Sequence, residues 1–378
     1  MTSQRAEDAV TVRVPAKINL QLAVGPPRAD GYHDLVTVFH AVSLFDEITA
    51  TPAARDRVTV SGEGAAQVPA DGGNLALRAV AALREVLPGG PSVHISIAKR
   101  IPVAAGLAGG SADAAAALVA CNELWDAGLG QPELLDIAAT VGSDVAFALL
   151  GGTAVGRGRG ERLTPALAPA TPYHWVLALA DGQLSTPAVY AALDKQRAAR
   201  AGRSGGPGDP GSSSGSGEPD LDTALMSALR TGHASQVGRA LSNDLQPAAL
   251  SLFPALRKTL AAGLELGALG ALVSGSGPTC VFLAANAKRA LDLAVSLSGA
   301  GVCRSVARVT GPVPGAAIIP GPTSAGPKTA GPKSGDPKSA GPKSTGPKSA
   351  GPKSAGPKSA GPKSAGPKSA GPKPSTPK

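Results

Sequence analysis

Short stretches in which apolar and polar residues alternate recur along the chain. They cover residues 10 to 14, 18 to 24, 58 to 60 and 93 to 97. A period of two places every second side chain on the same face of a strand, so each stretch predicts a half-buried β-strand. Further strands are predicted at residues 153 to 163, 174 to 180, 280 to 284 and 302 to 309.

Helical patterns separate these strands. Asn74 precedes LALRAVAALREVL, which predicts a capped amphipathic helix that ends at Pro88 and the two glycines after it. Ser111 is predicted to begin a long Ala-rich helix that runs to about residue 127. Other helices are predicted at residues 132 to 140, 187 to 198, 221 to 230, 247 to 264 and 287 to 297. The mixture predicts an α+β protein of two halves that divide near residue 165.

Two low-complexity segments differ from this pattern. From residue 328 to residue 378 a lysine recurs at every fifth position, in units close to SAGPK. Pro and Gly disfavour helix and sheet, and no large apolar residue is available for burial, so we predict a disordered tail. Residues 202 to 220, which are rich in Gly and Ser, predict a flexible surface loop.

The net charge of +9 comes from the tail. Residues 324 to 378 hold eleven lysines and one acid, Asp336, while the rest of the chain has 25 basic and 26 acidic residues. A nearly neutral body argues against a fold that binds specific nucleic acid, because such folds concentrate Lys and Arg on one face. The tail is either a solvated extension without chemistry or a weak electrostatic contact for RNA or acidic surfaces.

The cysteines and the amino terminus indicate a cytoplasmic protein. Cys121, Cys280 and Cys303 are too few for a disulfide framework and too far apart for a C-x-x-C metal site. Acidic residues stand where a signal peptide needs an apolar stretch, and no run of about 18 apolar residues occurs. We therefore expect a cytoplasmic protein that does not associate with membranes.

A glycine-containing loop, IPVAAGLAGGSADAAAALVA, connects a predicted strand with the helix at Ser111. Gly106, Gly109 and Gly110 allow backbone conformations closed to other residues, and the helix start adds unpaired N–H groups and the positive end of a dipole. This combination predicts a phosphate site, although a tight connection without a ligand explains the glycines equally well. The Walker and Rossmann patterns are both absent.

Two charged positions are suited to chemistry. Lys17 and Asn19 are two residues apart and share one face of a sheet; Lys17 is either exposed or buried beside a partner. Asp144, between Val141 and Phe147, either caps the next helix or is a partly desolvated base for the proton of an alcohol.

A second glycine-rich segment precedes the strand at residues 280 to 284. Gly275, Gly277 and Pro278 predict a rigid turn. This turn is either purely structural or lies next to a substrate.

In this order, the segments resemble a known family. PAKINL at residues 15 to 20, PVAAGLAGGSAD at 102 to 113 and SGSGPT at 274 to 279 are similar to the three motifs of the galactokinase, homoserine kinase, mevalonate kinase and phosphomevalonate kinase (GHMP kinase) superfamily. ADGYHDL at 29 to 35 and GSDVAF at 142 to 147 resemble its 4-diphosphocytidyl-2-C-methyl-D-erythritol kinase family. The resemblance covers residues 10 to about 310.

The resemblance implies a fold and an activity. The fold is the two-domain GHMP kinase fold, with an N-terminal half like domain 2 of ribosomal protein S5 at residues 1 to 165 and a ferredoxin-like half at 166 to 320, followed by the tail at 321 to 378. The activity is ATP-dependent and Mg²⁺-dependent phosphorylation of the 2-hydroxyl of 4-diphosphocytidyl-2-C-methyl-D-erythritol in non-mevalonate isoprenoid synthesis. Monomer and homodimer are both compatible with the resemblance.

Catalytic and substrate-binding residues are also implied. Asp144 corresponds to the catalytic aspartate that takes the proton of the attacking hydroxyl, and Lys17 to the lysine that orients this hydroxyl. Tyr32 and Tyr190 correspond to aromatic walls around cytosine, and His33 to a hydrogen-bond partner at its edge. Asn19 and Thr186 correspond to further substrate contacts.

The implied ATP site is the glycine loop. Its residues are Pro102, Val103, Ala104, Ala105, Gly106, Leu107, Ala108, Gly109, Gly110, Ser111 and Ala112. Ser111 is the candidate metal ligand; Asp113 is either a second one or only an electrostatic support of the helix terminus.

The chain departs from the family in this loop and after Asp144. Ala105, Ala108 and Ala112 replace the Gly or Ser common in the family, and Ala146 replaces a proline. Two other functions are compatible with parts of the pattern. A GHMP kinase for homoserine or mevalonate would not need the aromatic positions, and a silent nucleotide-binding protein would not need Lys17 and Asp144.

Overall fold

A computed structural model describes residues 9–166, 172–201 and 219–320 of the chain. The tail predicted at residues 321 to 378 lies outside the described residues, and so does the loop predicted at 202 to 220 except for its last two positions.

The described part of the chain contains two sheets and a set of α-helices. The strands are β1 (Val10–Pro27), β2 (His33–Pro52), β3 (Arg57–Gly62), β4 (Val93–Lys99), β5 (Thr153–Gly158), β6 (Arg162–Pro165), β7 (Tyr173–Leu179), β8 (Ser242–Asn243), β9 (Gly270–Val273), β10 (Cys280–Ala284), β11 (Ser305–Gly311) and β12 (Ala317–Ile318). The helices are α1 (Leu75–Val86), α2 (Gly109–Leu124), α3 (Gln131–Val141), α4 (Ser143–Leu150), α5 (Thr186–Ala201), α6 (Thr223–Thr231), α7 (Ala234–Arg239), α8 (Gln246–Leu252), α9 (Ala255–Glu265) and α10 (Ala287–Gly299).

The larger sheet is built on a long antiparallel hairpin. Its strand order is β12-β1-β2-β4-β3; β5 pairs with β2, β6 with β5, and β8 runs parallel to β1. Ile18 and Leu20 of β1 join the apolar core with α2, whose four consecutive alanines at 114–117 are fully buried. These small side chains let α2 lie close against β1 and β2. Lys17 and Asn19 alternate with the apolar residues and reach the other side of the strand.

The smaller sheet is antiparallel throughout, in the order β11-β7-β10-β9. Both of its faces are covered. Trp175 and Leu177 of β7 belong to the core of the larger sheet, while Val176 and Ala178 pack with α8, α9 and α10. The sheets therefore share their packing, and the division near residue 165, between β6 and β7, stays a prediction.

Several element predictions are confirmed and three are wrong. The strand predicted at 153 to 163 is two antiparallel strands, β5 and β6, joined by a turn. The Asn74 side chain caps α1 by accepting from the Ala76 N–H at 2.9 Å, as predicted. The two strands predicted at 10 to 14 and 18 to 24 are one strand, because register shifts after Pro15 and Asn19 let β1 continue. The helix predicted at 247 to 264 is divided into α8 and α9, because Phe253 precedes a proline and leaves the helical region, with φ −134°.

Candidate active site

The predicted site residues line two adjoining cavities. The first cavity, of about 760 Å³, is bordered by Lys17, Asp144 and the glycine loop between β4 and α2. The second cavity, of about 1000 Å³, is bordered by Tyr32 and His33. They form one continuous cleft, because six residues line both: Leu35, Ser143, Arg159, Thr186, Pro187 and Tyr190.

The glycine loop is held against the turn that precedes β10. Gly106 has φ +76°, and a Cβ there would lie 2.4 Å from the Ser274 carbonyl oxygen. The Ser274 hydroxyl donates to the Gly106 carbonyl oxygen at 3.1 Å. Only glycine allows this conformation together with this close approach.

The start of α2 is open to an anion. The helix begins at Gly109, two positions before the predicted start at Ser111, and no side chain caps it within the described residues. Ala108 precedes it with φ 60°. Gly109, Gly110 and Ser111 line the first cavity, so the N–H groups of the first turn are available to a phosphate.

Lys17 and Asp144 meet in the first cavity. The Lys17 ammonium lies 3.7 Å from the Asp144 carboxylate and donates to the Asn19 side-chain oxygen at 2.8 Å. The Asn19 amide donates in turn to the Thr37 hydroxyl at 2.8 Å. Lys17 is only 7% exposed, so the alternative of an exposed strand lysine is wrong.

Asp144 lies in the first turn of α4 rather than at its cap. Gly142 occupies the N-cap position, and the helix begins at Ser143. The alternative that Asp144 caps this helix is therefore wrong. The carboxylate is about one-third exposed toward the cavity and benefits from the positive end of the helix dipole.

The turn before β10 lies beside these reacting groups. A Cβ at Gly275 would be 3.3 Å from the Lys17 nitrogen and 3.4 Å from the Asn19 side-chain oxygen. Asn243 of β8 fixes the turn by donating to the carbonyl oxygens of Val273 and Gly275, both at 2.7 Å. Of the two alternatives for this turn, the geometry favours the one next to a substrate.

A buried ion cluster adjoins the glycine loop. Lys99, at the end of β4, donates to Asp46 at 2.5 Å and to Asp113 at 2.8 Å, and none of the three is more than 3% exposed. Burial raises the pKa of Asp113 to about 8; the attraction of Lys99 opposes this rise and the charge of Asp46 adds to it.

Asp113 has a different role from the one predicted. It lies beyond the first turn of α2 and is bonded to Lys99, so the prediction that it supports the helix terminus is wrong. The bond to Lys99 also argues against Asp113 as a metal ligand.

The three residues predicted to surround cytosine come together at the second cavity. The His33 and Tyr190 rings are 5.0 Å apart, and His33 Nε2 lies 3.0 Å from the Asp194 carboxylate. Asp194 is one helical turn after Tyr190 in α5. The Tyr32 ring, 54% exposed, has the Arg159 guanidinium 3.9 Å from its centre.

Tyr190 and Thr186 connect the second cavity to the first. Burial, and then the charge of Asp144, raise the pKa of Tyr190 to about 12, so its phenol keeps its proton. The Thr186 hydroxyl is hydrogen-bonded to Ser276 of the turn before β10 at 2.8 Å.

Lys99, Asn243, Asp194 and Arg159 contribute to the cleft and were not predicted. Lys99 had the clearest signal in the sequence, since it ends a strand just before the glycine loop. Asn243, Asp194 and Arg159 each contact a residue that is between 30 and 161 positions away in the chain.

The described residues contain no group of three or more His, Cys, Asp or Glu side chains that could hold a metal ion. Ser111 as a metal ligand stays a prediction. No helix in the described ranges is long and apolar enough to cross a membrane, and the cytoplasmic localisation stays a prediction.

Comparisons with known proteins agree with this arrangement. The family "GHMP kinases N terminal domain" matches residues 74–152, and "GHMP kinases C terminal" matches residues 225–303. A 4-diphosphocytidyl-2-C-methyl-D-erythritol kinase of Nocardia farcinica is 56% identical over 310 residues, which are 82% of this chain and 96% of the relative. The enzyme of the same name from Thermobifida fusca is 53% identical over 322 residues, which are 83% of this chain and 99% of the relative.

A solved structure supports the same assignment. The crystal structure of a 4-(cytidine 5'-diphospho)-2C-methyl-D-erythritol kinase superposes with a TM-score of 0.62 and 34% identity, and the match covers 79% of this chain and 98% of that one. The two-domain α+β fold is thereby confirmed. The chain belongs to the GHMP kinase superfamily and, within it, to the family of 4-diphosphocytidyl-2-C-methyl-D-erythritol kinases.

Proposed function

We propose that this protein transfers the γ-phosphoryl group of ATP to the 2-hydroxyl of 4-diphosphocytidyl-2-C-methyl-D-erythritol in non-mevalonate isoprenoid synthesis. Use of ATP follows from membership in the GHMP kinases. The observation that carries the proposal is the convergence of Lys17 and Asp144, 3.7 Å apart, in the cavity that the glycine loop lines. Phosphoryl transfer needs chiefly such positioning and the stabilisation of spreading negative charge.

The hydroxyl would be activated at Asp144. Its carboxylate faces the cavity and can accept the proton of the alcohol as the oxygen attacks phosphorus. Lys17 would orient the same oxygen. Its ammonium is held in place for this role by the hydrogen bond that it donates to Asn19. The buried position of Lys17 makes this orientation rigid, which favours the reacting geometry.

The triphosphate would lie along the glycine loop. The open N–H groups at the start of α2 and the dipole of that helix stabilise negative charge on the phosphate oxygens. The contact between Gly106 and Ser274 keeps the loop beside Gly275, and therefore beside Lys17.

The residues of the first cavity fit a magnesium ion that arrives with the nucleotide. Mg²⁺ takes one or two protein oxygens, together with phosphate oxygens and water. The Ser111 hydroxyl lines the cavity and would supply such an oxygen. When bound, Mg²⁺ neutralises charge on the phosphates.

The cytosine would lie between Tyr32 and Tyr190 in the second cavity. A carboxylate only accepts hydrogen bonds, so His33 Nε2 donates to Asp194 and a neutral ring keeps Nδ1 as an acceptor. This acceptor suits the exocyclic amino group of cytosine. Homoserine and mevalonate have no ring to stack between the two tyrosines.

The position of the new phosphate tests the proposal. Incubation with ATP and 4-diphosphocytidyl-2-C-methyl-D-erythritol should give one new phosphomonoester at C2, seen by phosphorus NMR. Asp144→Asn should lower kcat about 10²- to 10⁴-fold, while binding of ATP is retained. Asp136→Asn, on an exposed position of α3, is the control. Phosphorylation at another hydroxyl, or near-normal turnover by Asp144→Asn, would contradict the proposal.

A further inference from the structure

Arg159 occupies the place where the two cavities join. Of the six residues that line both, it is the only charged one. It lies in the turn between β5 and β6, flanked by Gly158 and Gly160, with φ of +71° and +104°. This tight turn directs a cation from the hairpin toward the cleft, and the side chain is 46% exposed.

The contacts of Arg159 hold its guanidinium in place without using all of its donors. The guanidinium carbon lies 3.9 Å from the centre of the Tyr32 ring, and one nitrogen donates to Asp30 at 3.2 Å. A guanidinium has five N–H donors, so several remain for a ligand. Asp30 also pairs with Arg28 at 3.1 Å, and so keeps a cationic partner if Arg159 turns to a ligand.

The proposed substrate places a diphosphate at this junction. If the base lies at Tyr32 and His33 and the reacting hydroxyl at Lys17 and Asp144, the diphosphate between them must cross from one cavity to the other. The other cations that line the cleft in the described part of the chain are engaged elsewhere. Lys17 would act at the hydroxyl, Lys99 lies in its buried cluster, and Arg28 of the second cavity pairs with Asp30 and Asp34. A planar guanidinium matches two phosphate oxygens at once, which an ammonium does not.

We infer that Arg159 binds the diphosphate of the cytidylyl substrate and thereby determines its specificity. The inference rests on the proposed function. It also explains the contact with Tyr32: Arg159 covers one face of the ring, so a base can stack only on the other. The base would then lie between Tyr32 and Tyr190, and the guanidinium would be pre-positioned before the substrate arrives.

Binding of two ligands that differ only by the diphosphate tests this role. Affinities of cytidine and of CDP are measured by titration calorimetry on wild type, Arg159→Met and Arg159→Lys. Arg159→Met should weaken CDP by about 10- to 100-fold and leave cytidine within about twofold. Arg159→Lys, which keeps the charge but loses the planar fork, should fall in between.

Arg157→Met is the matched control. Arg157 is two positions earlier in β5, is exposed, and borders a separate cavity beside α6. The Arg157→Met substitution removes the same charge near the cleft and should leave the affinities for cytidine and CDP unchanged. If Arg157→Met weakened the affinity for CDP as much as Arg159→Met does, only the overall electrostatic field would matter. That result would overturn the inference.

Kinetics separate this inference from the proposed function. Arg159→Met should raise the KM for the cytidylyl substrate by the same factor as its loss of CDP affinity, with kcat and the KM for ATP nearly unchanged. Equal weakening of cytidine and CDP would show that Arg159 only supports Tyr32, and no weakening would show that it has no role; either result overturns the inference. Failure of the wild type to phosphorylate the substrate would instead contradict the proposed function, while the CDP titration still decides the role of Arg159.

Discussion

The ammonium group of Lys17 has two neighbours of different kind, the neutral Asn19 amide and the Asp144 carboxylate. The amide holds the ammonium in place, and the carboxylate balances its charge. A substrate oxygen can therefore approach both charged groups without a rearrangement of either. At the other end of the cleft, His33 depends on Asp194 in the same way, because the carboxylate selects which ring nitrogen carries the proton.

At the scale of single residues, Tyr32 gives a sharp prediction. Tyr32→Ala removes a stacking surface for cytosine and should raise the KM for the cytidylyl substrate by about 5- to 160-fold, since stacking of a base on an aromatic ring contributes roughly 1–3 kcal/mol. The KM for ATP should stay the same. Steady-state kinetics with each substrate varied in turn measures both values.

Tyr32→Phe is the control, because it keeps the ring and loses only the hydroxyl. It should behave like the wild type. An unchanged KM for the cytidylyl substrate in Tyr32→Ala would remove stacking from the account.

Among the elements, the glycine loop and the turn before β10 act as a pair. The loop lies in the half that contains β4 and α2, and the turn joins β9 to β10. Their contact at Gly106 and Ser274 brings the open N–H groups at the start of α2 next to Lys17. The geometry of the site therefore depends on the close approach of the two backbones, which the Ser274 hydroxyl holds together.

Gly106→Ala tests this contact. The added Cβ would lie 2.4 Å from the Ser274 carbonyl oxygen, in a left-handed backbone conformation. We expect a loss of roughly 2–5 kcal/mol in the free energy of unfolding and weaker binding of ATP. Urea denaturation and titration with ATP measure the two effects.

Gly128→Ala separates strain from contact. Gly128 has φ +66°, but its added Cβ would meet nothing within 4 Å. The Gly128→Ala variant should lose only roughly 1–2 kcal/mol in the free energy of unfolding and should bind ATP with the affinity of the wild type. Equal effects of the two substitutions on ATP binding would contradict a specific role for the contact.

The elements also differ in how well the sequence predicts them. α1 and α10 are found where a capping Asn precedes an amphipathic pattern, because both signals are local. β2 was not predicted, since all of its central residues, 36–42, are buried whatever their polarity, including Thr37 and His40. The break at Phe253 shows that one proline outweighs a continuous apolar pattern.

The residues of the site also differ in how well the sequence predicts them. Lys17, Asp144 and the glycine loop were identified because a family resemblance names them together. Asn243 and Arg159 were not, because their roles come from contacts that only the folded chain creates. Asp113 was misjudged because its partner Lys99 reaches it from the neighbouring strand.

At the scale of the whole molecule, His40 lies where the two sheets meet. It belongs to β2, shares a hydrogen bond with Thr153 of β5 at 2.8 Å, and its ring is 5.6 Å from the Trp175 ring of β7. Burial lowers the pKa of His40 to about 3. The folded protein therefore holds this imidazole neutral in the contact between the sheets.

This burial predicts a loss of stability in acid. In the unfolded chain the imidazole takes up a proton near pH 6.5, whereas in the folded protein it does so only near pH 3. The unfolded state therefore binds more protons between these values, and the free energy of unfolding should fall by up to about 1.4 kcal/mol for each pH unit below 6.5. His40→Gln should remove this part of the slope, as measured by urea denaturation from pH 7 to pH 4.

His233→Gln changes an exposed histidine and is the control. It should keep the acid slope of the wild type. Identical slopes in wild type and His40→Gln would show that protonation of His40 does not limit the stability of the folded protein.

The proposed function requires a cleft that selects one acceptor, and a side-by-side comparison of substrates tests this most directly. The rate of ADP release is measured with ATP and, separately, 4-diphosphocytidyl-2-C-methyl-D-erythritol, homoserine and mevalonate. We predict a kcat/KM for the cytidylyl compound at least about 1000-fold above those for the other two, because only this compound fills the second cavity and pairs with its polar groups. Phosphorylation of homoserine or mevalonate with a comparable kcat/KM would contradict the account.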